Sequence, residues 1–315
     1  MKLNKGKQSL PQRVVLYGPE GVGKSTLASA FPAPVFLDTE GGTSHMDVTR
    51  FDAPAAWQGV TNAVKSLTDE DHDFKTLVVD TVDWTERLLI DYVVRSNHKK
   101  GIEDFGYGKG YTYLAEAFSG FLRTLDALRA TRGMNVLLVA HSTIKKFEQP
   151  DAAGAYDRYE LKMTKQVSPL VKEWADMLLF LNYKTKVTGG ETGKKRGIGG
   201  KERLLHTEHH AAFDAKNRHG LDATLPAEWE SIAHLFADAP KKAKPVEKKT
   251  GAQLETLLNI WQELGYNGAE KTKLFRWLGV DSIESMEEWE ELNREQMAKA
   301  IGFLRQKLHE NNEAE

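Results

Sequence analysis

A β-type apolar run, RVVLY (13–17), leads without a gap into GPEGVGKS (18–25), and a helix-like segment, TLASAF (26–31), follows at once. That order constrains the fold more than any other feature of the chain. Glycines let a backbone wrap an anion with its N–H groups, and G-x-x-x-x-G-K-[ST] between a strand and a helix is a phosphate-holding loop. Here the loop comprises Gly18, Pro19, Glu20, Gly21, Val22, Gly23, Lys24, Ser25 and Thr26. Lys24 would reach the β- and γ-phosphates of ATP, and the Ser25 hydroxyl would ligate Mg²⁺. The plain alternative is an ordinary glycine-rich turn.

Three more short apolar runs, PVFLD (34–38), TLVVD (76–80) and VLLVA (136–140), have the length and composition of buried parallel strands. Between the last two, Leu114, Phe118, Phe121, Leu122, Leu125 and Leu128 recur at helical spacing. The alternation predicts an α/β sandwich. DMLLFLNYKTKV (176–187) and ERLLHTEHHAAFDAK (202–216) flank a Gly/Lys-rich stretch, which predicts antiparallel strands joined by a long loop. LPAEWESIAHLF (225–236) predicts a closing helix with Trp229, Ile232 and Phe236 on one face. Pro, Ala and Lys without apolar periodicity mark 238–250 as a linker. Beyond it the pattern is helical, with capping boxes at Thr250/Gln253 and Asn293/Gln296 ahead of Leu254, Leu257, Leu258, Trp261 and of Met297, Ile301, Leu304, Leu308. The expected plan is a leader (1–12), an α/β core (13–237), the linker and a small all-α module (251–315).

Composition narrows the chemistry. The formal net charge is −2, so any nucleic-acid surface must be local. The absence of cysteine excludes disulfides, thiolate zinc sites and a catalytic thiol, and fits a reducing cytosol. MKLNKGKQSLPQR lacks the apolar core of a secretory signal, and no run reaches the roughly 20 apolar residues of a membrane span. We expect a cytoplasmic protein, in the bacterial host cytoplasm if phage-encoded.

A phosphate loop of this kind needs a second acid to organise Mg²⁺. Asp80, at the end of TLVVD, supplies it through the metal's water shell. Asp83, with Glu86 three residues on, reads as the cap of the next helix. His206, His209 and His210 in HTEHH lack the further ligands of a metal site.

PVFLDTEGG (34–42) resembles the strand of RecA-like ATPases that ends in a water-activating glutamate. Asp38 and Glu40 are two apart, so on a strand they share a face, and the resemblance puts Glu40 at the catalytic-base position. NVLLVAHST is similar to the family's γ-phosphate-sensing strand, with His141 where Gln is usual. Lys216 and Arg218 in FDAKNRHG match the Lys-x-Arg run whose cations enter the neighbouring subunit's nucleotide site. Together, residues 12–237 resemble a phage-type, AAA-like subgroup of RecA-like P-loop ATPases linked to recombination and single-strand annealing. The resemblance implies a RecA-like core with a mostly parallel sheet, ATP and Mg²⁺ as cofactors, a homo-oligomeric ring or filament, and single-stranded DNA as partner.

In RecA-like proteins the loops after the acid strand and the sensor strand face DNA. Here those stretches hold Lys99, Lys100, Tyr107 and Lys109, and Lys145, Lys146, Arg158, Lys162 and Lys165, interleaved with aromatic residues. Cations track phosphates, and aromatic faces stack bases at about 1–3 kcal/mol each. The Lys-rich stretch 184–203 is a third candidate, and solvated polar loops are the alternative for all three. The C-terminal module resembles small domains of phage recombination proteins, which implies docking onto a single-strand-binding protein or DNA. Rival functions are a ring helicase or translocase, a small-molecule kinase, and a weakly hydrolysing nucleotide-binding regulator.

Overall fold

The four apolar runs stand side by side in one sheet. The computed structural model describes residues 5–6, 10–148, 154–189, 195–236, 251–266, 273–274, 277 and 294–312, with backbone alone for 185–189, 195–199, 251–255, 294–297 and 311–312. In chain order the first unit runs β1 (Arg13–Gly18), α1 (Lys24–Ala28), β2 (Pro34–Asp38), β3 (Thr49–Arg50), α2 (Trp57–Asp69), β4 (Thr76–Asp80) and α3 (Val82–Ser96). It continues with α4 (Lys109–Arg132), β5 (Asn135–Phe147), β6 (Tyr156–Leu161), α5 (Ser168–Trp174), β7 (Met177–Gly189), β8 (Lys195–His206) and β9 (Thr224–Pro226). The sheet order is β3-β2-β4-β5-β1-β7-β8-β9, with β6 paired to β5 alone. Pairing is parallel from β3 to β7 and antiparallel through β8 and β9. This is an α/β fold with a mostly parallel central sheet and the glycine-rich loop at the end of β1.

Alternate side chains of each central strand supply two separate cores. Val15 and Tyr17 of β1 join Leu77, Val79, Val136 and Leu138 under α2, α3, α4 and α5. Val14 and Leu16 join Val78, Leu137 and Leu179 under Leu27 and Ala28 of α1 and under Trp229, Ile232 and Phe236. Burial on both faces explains why these strands read as unbroken apolar runs.

Three expectations are corrected. The Gly/Lys-rich stretch is no long loop, because β7 reaches Gly189 and β8 begins at Lys195, carrying the hairpin ladder through most of it. Residues 225–236 form two 3-10 turns, Trp229–Ser231 and Ala233–Leu235, where a helix was expected. Trp229, Ile232 and Phe236 are buried nonetheless, since the aromatic cluster with Phe31 needs those contacts and no regular helix. The stretch 142–167 is a β-hairpin in its described part, Ser142–Phe147 pairing with Tyr156–Leu161.

The chain divides into two compact units, Met1–Pro240 and Lys241–Glu315. In the second, α6 (Gly251–Glu263) and α7 (Arg294–Asn312) share a core of Leu257, Ile260, Leu274, Ala300 and Leu304, with Trp261, Ile301 and Leu308 against it. Leu258, expected inside, is 40% exposed. The proposed linker, both capping boxes and the side chains of Leu254 and Met297 lie outside what is described. Among the described residues, no helix is long and apolar enough to cross a membrane.

Phe118 of α4 is fully buried, whereas Tyr113 on the same helix is 44% exposed. Urea denaturation should show a loss of about 3–5 kcal/mol for Phe118→Ala and about 1 kcal/mol or less for Tyr113→Ala.

Candidate active site

The C-terminal ends of β1, β5, β4 and β2 converge, and every candidate in the chemistry but two arrives there. At the exit of β1 the chain must turn tightly. An added Cβ on Gly18 would sit 2.1 Å from the Leu181 carbonyl oxygen, and Gly21 and Gly23 take positive φ values of 71° and 95°. Lys24 is buried, and its Nζ donates to the carbonyls of Gly18 (3.1 Å) and Pro19 (2.8 Å). Burial lowers its pKa, opposed by Asp80, Asp83 and Glu40.

Asp80 ends β4, and the Ser25 side chain beside its carboxylate favours the charged form. Its Oδ2 is buried without a partner, an arrangement that costs free energy unless a cation or water shell meets it. Ser25, Asp80 and Lys24 therefore fit Mg²⁺ and the phosphates it accompanies. Burial, with Asp38 and Glu40 adding to it, pushes the Asp80 carboxyl up to about 6 against the pull of Ser25 and Lys24.

Asp38 and Glu40 do different work, correcting the shared face. β2 stops at Asp38, so strand alternation ends before Glu40. Asp38 is buried and accepts from the backbone N–H groups of Glu40, Gly41, Gly42 and Thr43 and from the Thr43 hydroxyl. This cage shapes the turn that carries Glu40 to the mouth of the site. There Glu40 Oε2 lies 3.8 Å from His141 Nε2.

Asp83 is not a helix cap. It lies inside α3, whose N-cap residue is Thr81, and points back at β5. Its Oδ1 accepts the His141 backbone N–H and its Oδ2 lies 3.0 Å from His141 Nδ1. A proton on Nδ1 leaves Nε2 facing Glu40, so a line runs Asp83–His141–Glu40. Burial opposes the Asp83 charge, but the bonds from His141 hold it below the ordinary carboxylate range. Glu86 points the same way and accepts the Thr164 N–H and hydroxyl, linking α3 to the chain after β6. Glu20 meets Lys162 Nζ at 3.2 Å, tying the phosphate loop to the end of β6.

Lys216 and Arg218 are elsewhere. Lys216 donates to the carbonyls of Lys172 and Glu173, and Arg218 pairs with Asp176 at 3.1 Å. Asp176 abuts Arg13, where β1 begins, so Arg218 stands at the opposite end of the sheet from the phosphate loop. Five strand steps separate Arg13 from Gly18, roughly 16 Å, too far for an arginine to reach its own loop from there.

The nucleic-acid candidates separate by exposure. Lys99, Lys100, Tyr107, Lys109, Lys145, Lys146, Lys162 and Lys165 are exposed. Arg158 is a correction, being buried with Asp214 and Glu160 as ion partners and its guanidinium over Phe147. In the stretch 184–203, side chains 185–199 lie outside the description. Sequence reasoning gave no role to Glu86's contacts, Tyr183 or Arg203. Tyr183 O–H donates to the Gly21 carbonyl and Arg203 Nη1 to the Val22 carbonyl, both at 3.2 Å, and only the hairpin register could have placed them there.

Folded Asp80 holds its proton more tightly than the ordinary carboxyl near 3.8. Its contribution to stability is therefore full below about pH 4 and lost as pH rises through about 6. Without Mg²⁺ and nucleotide, Asp80→Asn should be more stable than wild type at pH 7.5 by on the order of 2 kcal/mol. The gap should close below about pH 4 in thermal or urea melts.

No curated protein matches the chain. Among solved structures, one described as a crystal structure of the RadB recombinase is similar at 16% identity and a TM-score of 0.35, covering 64% of this chain and 82% of that one. A family described as an AAA domain matches residues 10–219, well over half of the chain, and the protein belongs to that AAA-domain family.

Proposed function

We propose that the protein is an ATP- and Mg²⁺-dependent RecA-like ATPase that works as a homo-oligomer on single-stranded DNA, in recombination or strand annealing. One observation carries the nucleotide half of this reading. The buried Oδ2 of Asp80 has no hydrogen-bond partner, and Ser25 and Lys24 lie near enough to favour the charged Asp80 carboxylate. Bound Mg²⁺ would neutralise charge on the transferring phosphoryl group. Ser25 and Asp80 would hold it, and Lys24 would exchange its loop carbonyls for phosphate oxygens. Glu40, at the mouth, takes the proton of the attacking water, and His141 orients Glu40 from its seat on Asp83.

Reach supports the oligomer. Lys216 and Arg218 cannot act on their own nucleotide, so the finger role implied by the RecA resemblance requires a neighbouring subunit. DNA is assigned to the outer part of the β5–β6 hairpin, where Lys145 and Lys146 are exposed on the strand that carries His141. Lys99, Tyr107 and Lys109 form the second contact. Docking of residues 251–315 onto a single-strand-binding protein is the module's proposed task.

Steady-state ATP hydrolysis, with and without single-stranded DNA, tests the reading. We expect stimulation by DNA, and Lys24→Ala should lower hydrolysis by on the order of 100-fold or more. Hydrolysis indifferent to DNA, in folded and assembled protein, would remove the DNA role and leave the nucleotide site. Arg218→Ala should cost on the order of 10³ in rate, and mixing it with Lys24→Ala subunits should restore part of the activity. A mixture no more active than its components would argue against a finger supplied by a neighbour.

A further inference from the structure

Asp80, Glu40 and His141 approach the phosphate loop from one flank of β1, because β5, β4 and β2 all lie on that side. On the other flank stand β7 and β8, whose paired residues Tyr183 and Arg203 reach back over the loop. The Arg203 guanidinium fills the space a side chain on residue 23 would need, since an added Cβ on Gly23 would lie 2.1 Å from its Nη1. Gly23 thus admits Arg203 as well as turning the chain.

This arginine is chemically underused. It makes one hydrogen bond, to the Val22 carbonyl, and no ion pair among the described residues. The neighbouring carboxylate, Glu202, is held by Lys184 at 2.8 and 3.0 Å. A guanidinium presents five donors in a planar fork that fits phosphate oxygens, and an always-charged group beside an anion-binding loop has an evident counter-ion.

We propose that Arg203 is a nucleotide-binding residue acting in cis, gripping the α,β-diphosphate of the nucleotide from the flank opposite the hydrolytic residues. Tyr183 braces the Gly21 carbonyl beside it. The proposal rests on the nucleotide reading above and adds a cation that no motif assigns. It also divides the arginines by role. Arg203 serves its own subunit and Arg218, at the far end of the sheet, serves another.

The experiment is equilibrium binding of Mg-ADP and Mg-ATP to full-length wild type, Arg203→Gln, Arg203→Lys and Lys24→Ala, with melting temperatures alongside. Glutamine can still donate to the Val22 carbonyl but has no charge, so it separates a phosphate contact from simple bracing of the loop. We expect Arg203→Gln to weaken ADP and ATP alike by about tenfold with an unchanged melting temperature, and Arg203→Lys to recover part of the loss. Mixing Arg203→Gln with Lys24→Ala subunits should give no rescue, because both residues serve the same site. Wild-type affinity in Arg203→Gln, with binding abolished in Lys24→Ala, overturns the role of Arg203 and leaves the nucleotide site standing. Rescue on mixing overturns action in cis. If wild type binds neither nucleotide, both readings fall together.

Discussion

The closeness of Gly18 to the Leu181 carbonyl is the constraint on which the rest of the site depends. β1 pairs with β7 through Tyr17 and with β5 through Gly18, and no side chain fits at the point where it leaves the sheet. The phosphate loop therefore starts from a fixed position in a rigid sheet. Everything the loop must meet is likewise fixed to strand ends: Asp80 on β4, His141 on β5, and Glu40 just past β2. Catalytic geometry needs tolerances of a fraction of an ångström, and strand ends in a sheet buried on both faces provide them.

Four carboxylates are buried near this edge, and the protein treats each differently. Asp38 receives five donors and becomes the scaffold of a turn. Asp83 is satisfied by His141, and Glu86 by Thr164. Asp80 alone of the four keeps a bare oxygen, and burial pushes its carboxyl up to about 6. Burying an unpaired charge is expensive, so the contrast among neighbours is informative. Three acids build the site and the fourth is left with work to do, a pattern that perturbed groups in clefts often mark.

Much of the core was legible in the chain itself. PVFLD and TLVVD match their strands to the residue, because a strand covered on both faces must be apolar throughout and stops where a charge begins. The glycine-lysine-serine loop was legible for the same kind of reason, since backbone wrapping dictates residue type. Contacts made by register were not. Asp83 obeys the spacing of a helix cap, and only the packing of α3 on β5 turns it toward His141. Arg203 carries no local signal at all, since its place above Val22 depends on how β8 pairs with β7. Arg158 misled because a cation among aromatics looks like a nucleic-acid contact, whereas here the aromatic Phe147 and the acids Asp214 and Glu160 form its internal solvation. The closing segment 225–236 misled in the opposite way, with the right residues buried by the wrong secondary structure.

β5 changes partners midway. Residues up to His141 are hydrogen-bonded to β1, and from Ser142 onward the same strand pairs with β6 in a separate ribbon. No loop intervenes, so the two halves form a single stiff beam with His141 at its fulcrum. Side chains alternate along such a beam without interruption, which makes the orientation of the outer arm a matter of parity. One residue added between Ser142 and Phe147 would leave the inner half seated and turn every outer side chain to the opposite side. The side of the ribbon on which Lys145 and Lys146 lie is thus fixed by their count from His141, as much as by the residues themselves.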